Sequence, residues 1–221
     1  MKTENLQEWI GKTEERSDCL NAFPANAMAA TLNHKQLDYS ENKNLPPLWH
    51  WLYFLPIFKL SDAGYDGHAA LGDFLPPVQL PRRMWAGSRI EFLSPLKVGH
   101  EYKKTSKIKN VTAKSGRSGD LVFVTVSHEV SNGPTICINE EHDIVYREKA
   151  TSSSGPTKLI EAPKDFDFSI EIKPDPVLLF RYSALTFNGH RIHYDHPFCI
   201  DTEGYDGLVV HGPLLATLLL D

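Results

Sequence analysis

At 221 residues the chain is long enough for one large domain or two small ones with a substantial core. A formal net charge of −5 argues against a general nucleic-acid binder, which carries a basic face. Cys19, Cys137 and Cys199 are far apart, odd in number and without Cys-x-x-Cys spacing, so they read as free thiols of a reducing cytoplasm; no apolar run has the length of a membrane span, and Met1–Asn5 resembles neither a signal nor a transit peptide.

In chain order, Trp9 to Asn33 is expected to be mainly helical, with Pro24 in a first turn and Ala25, Ala27, Met28, Ala29, Ala30 and Leu32 as the apolar face. Leu48 to Leu55 is a second apolar run whose tryptophans, Trp49 and Trp51, are expected in the core. Ser61 to Pro81, rich in Gly, Pro and Asp, reads as an extended loop. Four strand-like segments follow: Met84 to Leu93, Lys103 to Val111, Leu121 to Val130 and Thr135 to Arg147. They are broken at Gly99, at Lys114–Gly119 and at Asn132-Gly133, the last a hairpin signal. Lys114–Gly119 lacks the residue order of a phosphate-binding loop and sits between strands, so a hairpin loop is expected there.

Lys149 to Pro163, containing Thr151-Ser152-Ser153-Ser154-Gly155-Pro156, has the composition of an exposed linker. It divides the chain into a first domain over 1–148, a linker over 149–163 and a second domain beginning at 164. In the second part Phe166 to Ile172 alternates like a strand and Pro176 to Phe187 suits a helix. His211-Gly212-Pro213 opens the nearly all-apolar Leu214–Leu220, a helix that should be buried. A faint repeat links the halves: Ala29–Asn33 resembles Ala184–Asn188, and Trp49-His50-Trp51 corresponds to Val210-His211-Gly212. The first copy would then be a structural partner and the second the active one.

Chemistry concentrates in Phe187–His196, which crowds Asn188, His190, His193 and His196 together; with His211, four of the ten histidines fall in the last thirty-two residues. Imidazoles titrate near neutrality and supply general bases and acids. The spacing His190-x-x-His193-x-x-His196 also admits a zinc site on one side of a helix, although no cysteine lies near. His196 alone reads as a surface residue, and His211 as either a structural histidine or a participant. Arg82-Arg83 beside Trp85 reads as a solvated turn or as a grip on the phosphates of a ligand with an aromatic alongside. Arg181 and Arg191 could meet a substrate carboxylate or form salt bridges.

Asn188-x-His190-x-x-His193, followed by Gly207-Leu208-Val209-Val210-His211-Gly212-Pro213, resembles the active-site segment of the MaoC-like, hydratase-2 family of enoyl-thioester hydratases and 3-hydroxyacyl-thioester dehydratases. Phe180–Asn188 resembles the branch containing itaconyl-CoA and mesaconyl-C4-CoA hydratases and the mitochondrial type 2 hydroxyacyl-thioester dehydratases. The resemblance implies an α+β double hot-dog fold, in which each half wraps a curved antiparallel sheet around a central helix, with a degenerate first and a catalytic second half. On that expectation the second hot-dog is truncated or is completed by another chain, because Asp221 falls inside its helix.

The implied reaction is reversible hydration or dehydration of an acyl thioester, itaconyl- or mesaconyl-C4-CoA to citramalyl-CoA being the nearest example. It uses no metal and no cofactor, coenzyme A entering as part of the substrate. The implied protein is a cytoplasmic homo-oligomer with no nucleic-acid or membrane partner. A 3-hydroxyacyl-ACP dehydratase, a hot-dog thioesterase and a non-catalytic acyl-thioester binder are the alternatives.

The family's Asp-x-Asn-Pro-aliphatic-His reads here Asn188-Gly189-His190-Arg191-Ile192-His193, so the usual aspartate is an amide, which orients a water but cannot take its proton. His193 is therefore the expected base and acid, Asn188 the residue that positions water and His190 an assistant. The Gly212 amide, at a helix start, is the expected donor to the thioester carbonyl. Arg82, Arg83, Trp85, Arg181 and His211 are the expected substrate-binding residues.

Overall fold

The computed structural model describes residues 4–116, 119–148, 161 and 163–221. The proposed linker over 149–163 and the tip of the Lys114–Gly119 break lie largely outside these residues, as does the start of Met1–Asn5. Among these residues five strands and three α-helices form an α+β structure. In chain order they are β1 (Thr13–Cys19), α1 (Ala22–Thr31), β2 (Arg82–Phe92), β3 (Glu101–Gly116), β4 (Gly119–Asn132), β5 (Thr135–Arg147), α2 (Pro176–Leu185) and α3 (Gly212–Leu220).

The strands form one antiparallel sheet in the order β1-β3-β4-β5-β2. The β4–β5 turn is Gly133-Pro134, one residue on from the expected Asn132-Gly133 because Asn132 still pairs with Thr135; Gly133 takes a φ of 54°, which glycine adopts without strain. A bulge between Trp85 and Gly87 interrupts the β2–β5 register beside the cleft described below.

Two expectations are corrected. Trp9–Asn33 is not mainly helical: β1 lies within it, paired from Thr13↔Lys107 to Cys19↔Glu101. Its sequence, Thr-Glu-Glu-Arg-Ser-Asp-Cys, alternates in exposure but has no apolar face, as suits a charged sheet edge, so hydrophobic periodicity does not register it. Phe166–Ile172 forms no strand. Phe166, Phe168 and Ile170 are exposed, and among the described residues no strand pairs with the segment; alternation makes a strand only where another strand completes the ladder.

The main core gathers Leu20, Ala25, Met28, Ala29, Trp49 and Leu52 with Leu179, Tyr182 and Leu214, so α1, α2 and α3 share one apolar cluster over one end of the sheet. A second cluster, with Ile108, Val122, Val124 and Tyr146, is covered by the 71–80 loop and the first turn of the chain. Trp49 is buried as expected, whereas Trp51 is half-buried at the cleft. In α3 Leu214 and Thr217 are buried while Leu215, Leu219 and Leu220 are exposed, so burial of this apolar helix is one-sided.

α1 and α2 correspond position by position. N-caps Asn21 and Asp175 each accept from a backbone N–H of the first turn. Buried Ala25, Met28 and Ala29 match buried Leu179, Tyr182 and Ser183. The repeat is one residue out of step with its sequence alignment: the C-caps are Leu32 and Thr186, and His34 N–H donates to Ala29 O as Asn188 N–H donates to Ser183 O. His34 is therefore the structural counterpart of Asn188.

Candidate active site

α2 ends at Thr186, Phe187 turns through a φ of 50°, and the chain enters a short 3-10 turn, Arg191–His193. This exit lays Asn188, His190 and His193 along a cleft of about 540 Å³. β2 supplies Arg83, Met84 and Trp85 to its wall, and Gly212 and Pro213 close it at the start of α3. Asn188, His190, His193, Gly212, Arg83 and Trp85 are thus brought together.

His193 is buried, and its Nδ1 lies 2.7 Å from the Val209 carbonyl oxygen. A carbonyl can only accept, so Nδ1 carries the proton and Nε2 keeps a lone pair. Burial pushes the His193 pKa down to about 4, partly offset by the Val209 carbonyl, so the ring is neutral at pH 7. His211 stacks on it with ring centroids 3.6 Å apart. His211 Nε2 meets Ser183 Oγ at 2.8 Å, and burial holds this ring, too, neutral with a pKa of about 3. His211 is fully buried outside the cleft lining and supports His193 from behind, so its expected contact with substrate is corrected.

Asn188 Oδ1 accepts the His190 backbone N–H at 3.0 Å, leaving the side-chain NH2 as its remaining donor. His190 lies edge to face with His193, centroids 5.5 Å apart, and 4.1 Å centroid to centroid from His68. Burial, followed by the neighbouring histidines, depresses the basicity of His190 strongly.

His68 and its partner Asp66 come from the 61–81 loop and were not singled out in the sequence. Asp66 spends both carboxylate oxygens on His68: Oδ1 accepts the backbone N–H at 3.0 Å and Oδ2 accepts from Nδ1 at 2.7 Å. The loop is latched to the histidine segment by Arg191 N–H to Asp66 O at 2.9 Å and Arg191 Nη1 to Tyr65 O at 3.0 Å. Between these bonds Gly67 and Gly189 meet backbone to backbone; a Cβ on Gly67 would overlap the Gly189 carbonyl, and its φ of +87° also favours glycine. The available signal was Gly67 between two chemistry-bearing residues in a long loop.

The remaining expected residues fall elsewhere. Arg82 is corrected as a phosphate grip: its Nε is 2.8 Å from Glu203 Oε2, its Nη2 donates to the Glu203 backbone oxygen, and both side chains are largely buried. Arg181 sits exposed on α2, outside the cleft lining. Arg191 is committed to Asp195 at 2.7 Å. Trp85 packs on Gly212, where a Cβ would lie 2.5 Å from the indole ring. The bare glycine therefore makes room for Trp85. The three clustered histidines do not converge as zinc ligands, for His196 is exposed and His193 buried; Asp66, His68 and His190 do bring one donor atom each within 4.8 Å.

Among the described residues, no helix is long and apolar enough to cross a membrane. A neutral imidazole with a fixed tautomer, an amide donor and a helix N-terminus line one cleft, an arrangement chemically able to add or remove water. Comparison with known proteins defines the class. Residues 48–221 match the family described as hydroxyacyl-thioester dehydratase type 2. The chain is 48% identical over 221 residues to the mesaconyl-C(4)-CoA hydratase of Chloroflexus aurantiacus, covering all of this chain and 79% of that protein. It is 27% identical over 232 residues to the mitochondrial hydroxyacyl-thioester dehydratase type 2 of Schizosaccharomyces pombe, covering 92% of this chain and 77% of that one. The fold is that of a MaoC-like dehydratase from Phytophthora capsici, with a TM-score of 0.62 at 16% identity over all of this chain and 75% of the other. The chain belongs to the hydroxyacyl-thioester dehydratase type 2 family. It is a hydro-lyase of the hot-dog fold, acting by hydration and dehydration of acyl thioesters.

Proposed function

We propose that the protein hydrates the double bond of a short branched dicarboxylyl-CoA, mesaconyl-C4-CoA, to citramalyl-CoA. The observation that carries this is the His193 tautomer: Nδ1–H is committed to Val209, which leaves Nε2 as a neutral base at a cleft shared with Asn188 and Gly212. The relative at 48% identity supports the substrate.

His193 Nε2 takes a proton from a water held by the Asn188 NH2. The water oxygen bonds to the β-carbon, the double-bond electrons move to the thioester carbonyl, and the oxygen takes enolate charge. The Gly212 N–H stabilises that oxygen, a donation worth on the order of a hundredfold in rate. His193 then returns its proton to the α-carbon, so the elements of water are added and nothing is oxidised or reduced. His190 borders the water and assists its placement. Coenzyme A enters as the acyl carrier and leaves unchanged.

Mass spectrometry of mesaconyl-C4-CoA incubated with the protein tests this. A gain of one water that His193→Ala abolishes is the expected result. Release of free coenzyme A in its place, or equal turnover by His193→Ala, overturns it.

A further inference from the structure

The charge inventory of the cleft is unusual. Arg83 is the one permanent cation among its lining residues, and no aspartate or glutamate is among them. Of the cleft histidines, His68, His190 and His193 are held toward the neutral form by burial, and His142 lies with its Nδ1 3.5 Å from Glu140 Oε1. Other arginines are spoken for: Arg82 by Glu203, Arg191 by Asp195, and Arg89 by Glu141 and Asp143. Among the described residues no carboxylate lies within 4 Å of the Arg83 guanidinium. Arg83 is half-buried on β2, opposite Tyr146 of β5. It stands close enough to His68 and His190 that its charge opposes protonation of both. An unpaired, partly desolvated guanidinium in an apolar cleft is a site that wants one planar anion.

We infer that Arg83 binds the free carboxylate of the acyl group and makes the protein selective for thioesters that carry one. This rests on the proposed hydratase function. In mesaconyl-C4-CoA the free carboxylate is attached to the β-carbon, the atom that water attacks, so its partner must stand beside the catalytic histidines. Arg83 stands there. The phosphates of coenzyme A are separated from the reacting carbon by the whole pantetheine arm, so a cation next to His190 is wrongly placed for them. The guanidinium also offsets the repulsion between the carboxylate and the oxygen that becomes hydroxide-like as His193 takes its proton. Neutral His68, His190 and His193 do not compete for the anion, and the absence of a cleft carboxylate leaves the guanidinium free to take it.

The test is the ratio of kcat/KM for mesaconyl-C4-CoA to that for crotonyl-CoA, whose β-carbon bears a methyl group and no carboxylate. The wild-type protein should favour the carboxylate ester. Arg83→Gln should lower the ratio about 100-fold, as expected when one partner of a buried charge pair is removed, and Arg83→Lys should restore part of it. A ratio unchanged by Arg83→Gln, including an equal loss of both rates, overturns the assignment. If the wild-type protein hydrates crotonyl-CoA but not the carboxylate ester, the assignment falls and hydratase chemistry stands. If it releases thiol from both esters without adding water, the proposed function falls and the assignment with it.

Discussion

His193 and Val209 are joined by a 2.7 Å hydrogen bond from imidazole Nδ1 to a backbone carbonyl. Together with the Val209 N–H to Ile192 O bond at 2.9 Å, this bond links the histidine segment to the stretch leading into α3, so the proposed base and the helix start that flank the cleft are held together. It also fixes which nitrogen is basic. His193→Gln can still donate to Val209 from its amide, yet offers no comparable base at the Nε2 position. Its kcat should therefore fall about 10³-fold, within the usual range for loss of a general base, while the KM for thioester changes little. Steady-state kinetics decide this, and a KM effect as large as the kcat effect would mean that His193 binds substrate and does not activate water.

The pKa directions give a pH dependence with a definite sign. A base must be neutral to work, and burial holds His193 at about 4, so the limb of kcat/KM assigned to the free enzyme should stay flat from pH 7 down to about pH 5 and fall below that. Stability behaves differently. His193, His211 and His128 have folded-state pKa values of about 4, 3 and 3, below the unfolded value near 6.5. Their contribution is fully present above pH 6.5; as pH falls below it the unfolded chain gains protons that the folded one refuses. Each such imidazole then costs about 1.4 kcal/mol per pH unit until its folded pKa is reached. Urea denaturation at pH 7.5, 6.0 and 5.0 should show a progressive loss, and a protein equally stable at all three would show that these rings are not held neutral.

The latch between the 61–81 loop and the histidine segment depends on two residues without side chains. Gly67→Ala must push its methyl into the Gly189 carbonyl and hold a left-handed φ, so the loop should separate from the segment. The expected result is a loss of about 2 kcal/mol in stability and a fall in kcat from displacement of His68 and His190. Gly11, also at positive φ but with open space around it, is the control: alanine there bears only the backbone strain and should leave kcat near wild type.

Much of the sheet was legible because β2, β4 and β5 carry apolar alternation bounded by turn residues, and Asn132-Gly133 marks a hairpin. β1 was not, because an edge strand of charged residues has no hydrophobic period to read. Phe166–Ile172 erred the other way: its alternation is real, but a strand is a property of two stretches of backbone, and among the described residues no second one pairs with it. The site divides similarly. Asn188, His190 and His193 are contiguous in sequence and legible as a cluster, whereas Asp66 and His68 reach them only through a fold contact across more than a hundred residues. Arg82 and Arg83 are adjacent and chemically identical. Only the alternation of side chains along β2 and the position of Glu203 separate a structural ion pair from a cation in the cleft.

The stacked pair His193–His211 rests on Ser183, whose Oγ is the partner of His211 Nε2 at 2.8 Å. His211 Nδ1 has no partner in its buried surroundings, so Ser183→Ala would leave both nitrogens of a buried ring without a hydrogen bond. An unsatisfied buried polar group costs about 1–3 kcal/mol, and this one adjoins the ring proposed as the base, so the penalty can be relieved by tilting His211 and His193 together. Ser183→Ala should therefore lower thermal stability and kcat together, whereas Ser183→Thr, which keeps the hydroxyl, should recover kcat more fully than stability because its extra methyl must fit between α2 and the core. Thermal melting and kinetics on the two variants separate the roles: a Ser183→Ala protein that melts lower yet turns over normally would make the hydroxyl a packing element with no hold on His193.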